Sequence, residues 1–434
     1  MQSKHITSCF CFIAALAYLS FGTDTSFTKT AIINAAESIN NSFLEKTFNY
    51  SWQGGTYWTG AIALNKVTGD KEVFEAAKSY GEENNWQPGH GKAILITCEI
   101  FLELYFETND ESMIKPSVEF VNSGDGDAPS CNCTGWYFKN NVGAVVDRLY
   151  MGVPPLALFY KMGGEKKYLD WMHDQFWTTA DSLYDEELDL MYRDTRFIGQ
   201  KSANGEKVIW SRGNGWYIAA LAKILGILPD GQEAITRKNE YVEIFRKSAA
   251  ALAACQGEDG AWRTNLADAD EYPGPETTGT CFFTFGLARG VRLGILDFEK
   301  YYPVVKKAWQ WIAGTAIYEE GTLGYCQPVG KAPEPVKKSN NATDFAAGAF
   351  LLAAGETALL ASEGVVEADR PALLKMRNHT VLPAGKTKIM NFGSANPSAH
   401  LMPHYSINGQ LLPYGSSQLP KGACIVYRSH PKEK

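Results

Sequence analysis

The feature that most constrains this chain is a repeated rhythm between residues 29 and 363. Apolar side chains recur at spacings of three and four through 93–105, 153–160, 215–227 and 346–360, the period of a helix with a buried face. Short polar breaks separate such stretches: Lys66-Val67-Thr68-Gly69-Asp70, Glu107-Thr108-Asn109-Asp110 and Lys161-Met162-Gly163-Gly164-Glu165. Each break offers a Gly or Asn suited to end one helix and an acidic residue suited to begin the next. The repeating unit is therefore a helical hairpin. A single hairpin cannot bury its own apolar face, so successive hairpins must stack on one another. The segments predict an all-α chain of six hairpins closed into a toroid, an (α/α)6 barrel over 29–363. An open solenoid is the alternative.

The flanks read differently. Lys4 and His5 precede an apolar run over 6–19, and Ser20 and Gly22 follow it. That run is short for a membrane span and suits a signal peptide over 1–22; a buried first helix is the competing reading. The expectation is export, to the periplasm or the medium, with no membrane attachment once the leader is removed. Beyond residue 366, Thr380-Val381-Leu382, Lys388-Ile389-Met390 and Ala423-Cys424-Ile425-Val426-Tyr427 are short β-like runs broken by Pro and Gly. They predict a small β-rich C-terminal appendage over 366–434. The seven cysteines outside the leader are scattered and odd in number, which fits neither a disulfide framework nor a zinc site.

Charge narrows the partners. The formal net charge is -7 and no long Lys/Arg run occurs, so nucleic acid is excluded as an expected partner. Aromatic residues make up 12% of the chain, and flat rings can stack on sugar faces, although any single ring is more often core. The longer loops, 52–59, 126–141, 204–216, 259–280 and 321–341, are aromatic and Gly-rich. In a helical toroid they would gather at one end, where a cleft can form.

Three segments carry groups suited to chemistry. In Val146-Asp147-Arg148-Leu149-Tyr150-Met151-Gly152-Val153-Pro154-Pro155, an acid stands directly before an apolar helix. Asp147 is either a helix cap or a functional acid. In Trp210-Ser211-Arg212-Gly213-Asn214-Gly215-Trp216, an Arg lies between two indoles at a glycine-rich helix entry. Its fork can take a carboxylate in two-point fashion, and the indoles can stack on sugar; a structural turn with Arg212 in a salt bridge is the alternative. In Pro275-Glu276-Thr277-Thr278-Gly279-Thr280, a hydroxyl-rich turn runs into an apolar helix, and capping alone would explain it.

Taken together and in this order, these segments resemble glycoside hydrolase family 105, with family 88 as its neighbour. The segment Ala342-Thr343-Asp344-Phe345-Ala346-Ala347-Gly348 also resembles the family's closing helix. The similarity spans about residues 57–354 and is most specific at the Trp-Ser-Arg-Gly-Asn-Gly-Trp stretch. It implies an (α/α)6 barrel and an unsaturated-uronyl hydrolase. Such enzymes remove a 4,5-unsaturated uronic acid from the non-reducing end of lyase-generated oligosaccharides, derived from rhamnogalacturonan or ulvan. A carboxylic acid protonates C4, water adds at C5, and the hemiketal collapses, unlike the paired carboxylates of ordinary glycosidases.

The resemblance places Asp147 at the acid's position, Arg212 at a polar or carboxylate contact and Trp216 at a stacking position. Tyr57, Trp136 and Asp344 align more loosely with cleft residues; Trp210, His90, Tyr192, Asp194 and Glu276 complete the candidates. One departure stands out: Gly89, in Trp86-Gln87-Pro88-Gly89-His90, falls where the family commonly carries a second acid. A sulfated substrate would call for extra cations, and Lys92, Lys139, Arg148 and Arg196 are candidates. No cofactor is implied, since protonation and hydration need neither metal nor nicotinamide. The implied partner is an oligosaccharide bearing an unsaturated uronate, and the sequence gives no oligomeric state. Two other readings stay open: a non-catalytic glycan-binding relative of the same fold, and a toroid glycosidase acting on another polysaccharide.

Overall fold

A computed structural model of the chain describes residues 26–44, 46, 50–89, 94–123, 144–318 and 321–363. The expected leader (1–22) and β-rich appendage (366–434) lie outside the described residues, as do His90, Lys92, Trp136 and Lys139. Among the described residues there are twelve α-helices: α1 Lys29–Leu44, α2 Trp52–Thr68, α3 Lys71–Glu83, α4 Ile94–Thr108, α5 Lys115–Asn122, α6 Asp147–Gly163, α7 Lys166–Leu183, α8 Ser211–Ile227, α9 Gln232–Ala254, α10 Thr277–Arg292, α11 Phe298–Trp311 and α12 Asp344–Glu363.

The polar breaks act as their composition predicts. Gly69 ends α2 in the left-handed conformation (φ 70°), and Asp70 then caps α3 by accepting from the Glu72 amide at 2.9 Å. Gly164 (φ 71°) ends α6 in the same way. Asn109 (φ 57°) ends α4, and Asp110 caps the short 3-10 turn that leads to α5.

Burial separates two kinds of helix. α6, α8 and α10 are buried almost all round, whereas α3, α7 and α11 bury a single stripe. The first kind lines the inside of a ring and the second its outside. α2 packs on α4, α4 on α6, α6 on α8, α8 on α10, α10 on α12, and α12 returns to α2. The ring is closed, which rules out the open solenoid. α12 is long and apolar enough to cross a membrane by composition alone, yet 89% of its apolar window is buried inside this ring.

The inner helices run parallel. Early residues Trp52, Tyr150, Trp216, Phe282 and Phe345 meet in one aromatic cluster, with Trp216 at ring-centroid distances of 4.6 Å from Phe282 and 4.9 Å from Tyr150. Late residues Lys66, Glu103, Lys223, Arg289 and Glu356 line a charged cavity of about 250 Å³ at the other end. Links leading into α8, α10 and α12 carry three two-residue antiparallel ladders: β1 Tyr184–Asp185 with β2 Leu190–Met191, β3 Trp262–Arg263 with β4 Pro275–Glu276, and β5 Ile317–Tyr318 with β6 Thr322–Leu323. These links therefore gather at the N-terminal ends of the inner helices, where the sequence motifs also lie.

Candidate active site

Asp147 is the first residue of α6, and it is not a cap. The cap position belongs to Val146, and no side chain caps this helix. The Asp147 side chain keeps 24% of its surface exposed, and its Oδ2 lies 3.3 Å from Arg193 Nε. That oxygen has no hydrogen-bond partner among the described residues. The backbone fixes this pairing. Val145 bridges Asp194 in antiparallel fashion, and the Val146 amide donates to the Arg193 carbonyl at 2.9 Å.

Arg193 is held from behind. Its Nη1 lies 2.6 Å from Asp194 Oδ2, and Asp194 is fully buried. Arg196 grips the same carboxylate with Nε and Nη2, each at 2.8 Å, and adds its backbone amide at 3.0 Å. Burial alone would push the Asp194 carboxyl up, but the bonds from Arg196 and Arg193 outweigh it and hold the group below its ordinary range. Asp194 therefore supports two arginines rather than facing a cleft.

The α8 entry lies alongside. A side chain at Gly213 would stand 3.2 Å from Val146 Cγ1, so the first turn of α8 packs against the residue before Asp147. Arg212 is 2% exposed and spends both terminal nitrogens on carbonyls: Nη1 donates to Gln327 and Nη2 to Pro328, each at 2.8 Å. Its guanidinium stacks 4.5 Å from the Trp210 ring and 5.0 Å from Phe345. Burial pulls Arg212 below its ordinary range against the charges of Glu276 and Asp147. Trp210 Nε1 donates to Gln327 Oε1 at 2.8 Å. Together these two residues fasten the segment around Gln327 to the start of α8.

Glu276 is fully buried and caps α10, accepting from the amides of Thr278 (2.9 Å), Gly279 (2.6 Å) and Gln327 (3.2 Å). Tyr57 is fully buried and donates to Asn40 Oδ1 at 2.9 Å; burial, with the nearby Asp344 charge, pushes its phenol up. Tyr192 packs by Asp185, which also binds Lys207. Trp216 is 1% exposed at the centre of the aromatic cluster, so its faces meet protein rings. Trp52, half-buried and edge-on to Trp216 at 6.3 Å, is the member of that cluster with exposed surface. Asp344 opens α12 half-buried beside Phe345. Gly89 is buried, and its amide donates to Thr97 Oγ1 at 2.7 Å.

Sequence reading missed Arg193 and Trp52. Arg193 belongs to no motif, and its pairing with Asp147 spans the whole α6–α7 hairpin. The one local signal is the alternation Arg193-Asp194-Thr195-Arg196, in which one acid sits between two forks.

Comparison with known proteins places this architecture. The sequence pattern described as Glycosyl Hydrolase Family 88 matches residues 26–360. An unsaturated 3S-rhamnoglycuronyl hydrolase from Alteromonas sp. (strain LOR) is 34% identical over 325 residues, 70% of this chain and 76% of the relative. A solved structure described as a polysaccharide lyase is 30% identical with a TM-score of 0.70, covering 78% of this chain and 99% of that one. A family 88 glycosyl hydrolase from Bacteroides vulgatus is 29% identical with a TM-score of 0.69, covering 77% and 99%. A closed ring of helical hairpins, the motifs at one end of it and a match over most of its length agree: the chain belongs to glycosyl hydrolase family 88.

Proposed function

We propose that the protein removes a 4,5-unsaturated uronic acid from the non-reducing end of lyase-generated oligosaccharides, with Asp147 as proton donor. The observation that carries this reading is the state of Asp147. It begins an inner helix, caps nothing, is partly open to solvent and stands beside a cation. Enol-ether hydration needs one group that can deliver a proton to C4; water then adds at C5 and the hemiketal opens. Gly89 stands where the family commonly carries a second acid, so in this reading either Asp147 serves both the proton and the water or another group takes the second role.

Electrostatics support an anionic substrate at this end. Parallel inner helices turn their N-termini, the positive ends of their dipoles, toward the end of the ring where Asp147 lies. Trp52, half-buried at this end, is the cluster's aromatic ring best suited to meet a pyranose. The name of the Alteromonas relative points to rhamnose-linked uronates, and we take these as the substrate class. We also read residues 1–22 as an export signal, which would place the enzyme where polymer-cleaving lyases release its substrate; N-terminal sequencing of the mature protein tests this.

A lyase reading has one observation in its favour, the similarity to a structure described as a polysaccharide lyase. The two reactions have opposite optical signs. A lyase creates the conjugated double bond, whereas the hydrolase consumes it. Purified protein mixed with unsaturated oligosaccharides is expected to erode their ultraviolet band steadily. A rising band on intact polymer would replace hydrolase with lyase, and binding without any change would leave a non-catalytic glycan receptor.

A further inference from the structure

We propose that the charged cavity at the C-terminal end of the inner helices is a second binding site, and that it takes a small neutral sugar through its hydroxyl groups. The cavity lies at the opposite end of the ring from Asp147, and its volume is about 250 Å³. Room for one water takes about 10–15 Å³, so a molecule of monosaccharide size fits. Ile100, Phe285 and Leu352 on its wall give the C–H face of a sugar ring an apolar surface to lie on.

The polar part of the wall selects against a charged guest. Lys66 pairs with Glu103, Lys223 with Glu99 at 2.8 Å, and Arg289 and Arg292 with Glu356. A cation or an anion would have to compete with one of these pairs, whereas a neutral molecule leaves them in place. What the wall leaves open is a hydrogen bond. Glu99 is 4% exposed; its Oε1 accepts from Lys223, and its Oε2 has no hydrogen-bond partner. A buried polar atom left in that state is costly. Burial also pushes the Glu99 carboxyl above its ordinary range, so this oxygen needs a partner both as carboxylate and as acid. A hydroxyl serves both states, donating to the first and accepting from the second. An ammonium only donates, and an oxyanion only accepts.

Calorimetric titration of the whole chain with L-rhamnose, D-galactose and D-glucose tests this. At least one of the three is expected to bind. Ala63→Leu on α2 and Ile227→Phe on α8 fill the cavity from opposite walls. Each should weaken that binding about tenfold or more, with a cooperative unfolding transition as proof that the variant is folded. Trp52→Ala, at the other end of the ring, should leave the binding unchanged. Binding lost in Trp52→Ala but kept in the filled variants would move the sugar to the active-site end and overturn the proposal. So would no binding of any of the three sugars, or tighter binding of acetate or sulfate in competition with them. Turnover of an unsaturated oligosaccharide is a separate readout: its absence would count against the hydrolase reading and leave this site standing.

Discussion

Gly60 of α2 and Gly348 of α12 touch backbone to backbone where the ring closes. A Cβ built on Gly60 would lie 2.2 Å from the Gly348 carbonyl oxygen, and one on Gly348 would lie 2.2 Å from that of Thr56. Such separations are possible only without side chains, so the seam depends on two hydrogen atoms. Gly348→Ala sets two effects against each other. Helix propensity favours Ala by about 1 kcal/mol, but the helices must move apart, and overpacking typically costs about 1–3 kcal/mol and occasionally more. The contact is with backbone, which yields poorly, so net destabilisation is expected in chemical denaturation. Gly314→Ala, in a helical turn where nothing lies within 4 Å of the new atom, carries no such clash and should not destabilise.

Beneath the aromatic cluster, Lys223 of α8 donates to Glu99 Oε1 of α4 at 2.8 Å, and its ammonium stands 4.1 Å above the Tyr150 ring. Both side chains are buried. Burial pushes the Glu99 carboxyl above its ordinary range against the pull of Lys223. Lys223→Met strands that acid, and breaking a buried pair from one side costs about 3–5 kcal/mol. Lys223→Met combined with Glu99→Leu is expected to recover most of the loss, because no lone charge remains. A double variant as unstable as the single one would show that the pair itself, rather than the stranded acid, matters.

On the outer wall, His173 of α7 is pushed down to about 4, chiefly by burial and then by the Arg237 charge, with Asp170 opposing. Its Nδ1 shares a hydrogen bond with the Tyr241 hydroxyl at 3.1 Å, and Glu240 is 3.9 Å from Nε2. A depressed folded value means that the unfolded chain binds the proton first. The contribution of neutral His173 to stability is therefore complete above the unfolded value of about 6.5. It declines as pH falls from there toward 4. His173→Gln should flatten that limb of a stability-against-pH curve measured by denaturant melts. An unchanged slope would remove His173 from the acid response.

The fold was legible because helices advertise themselves by period, and the breaks at Gly69-Asp70 and Gly164-Glu165 carry their own stop and start chemistry. Ring closure was less legible, since it turns on a contact between Gly60 and Gly348, nearly three hundred residues apart. Within the site, motif order located Asp147 but could not tell whether it caps its helix; the structure puts Val146 at the cap position, and the backbone pairing of 145–146 with 193–194 sets Asp147 beside Arg193. Arg212 and Trp216 illustrate the limit. Their residue types suit a carboxylate and a sugar, yet Arg212 ties down the Gln327 segment and Trp216 fills the barrel axis. Surface and interior use the same fork and the same ring, and only position tells them apart.

Turnover of an unsaturated oligosaccharide by Asp147→Asn tests the central claim most directly. The amide keeps the shape of the side chain and removes its proton. The rate is expected to fall roughly 10²- to 10⁴-fold, the range of a general acid, with an unchanged unfolding midpoint. A folded Asp147→Asn protein that consumes the double bond at the wild-type rate would contradict it.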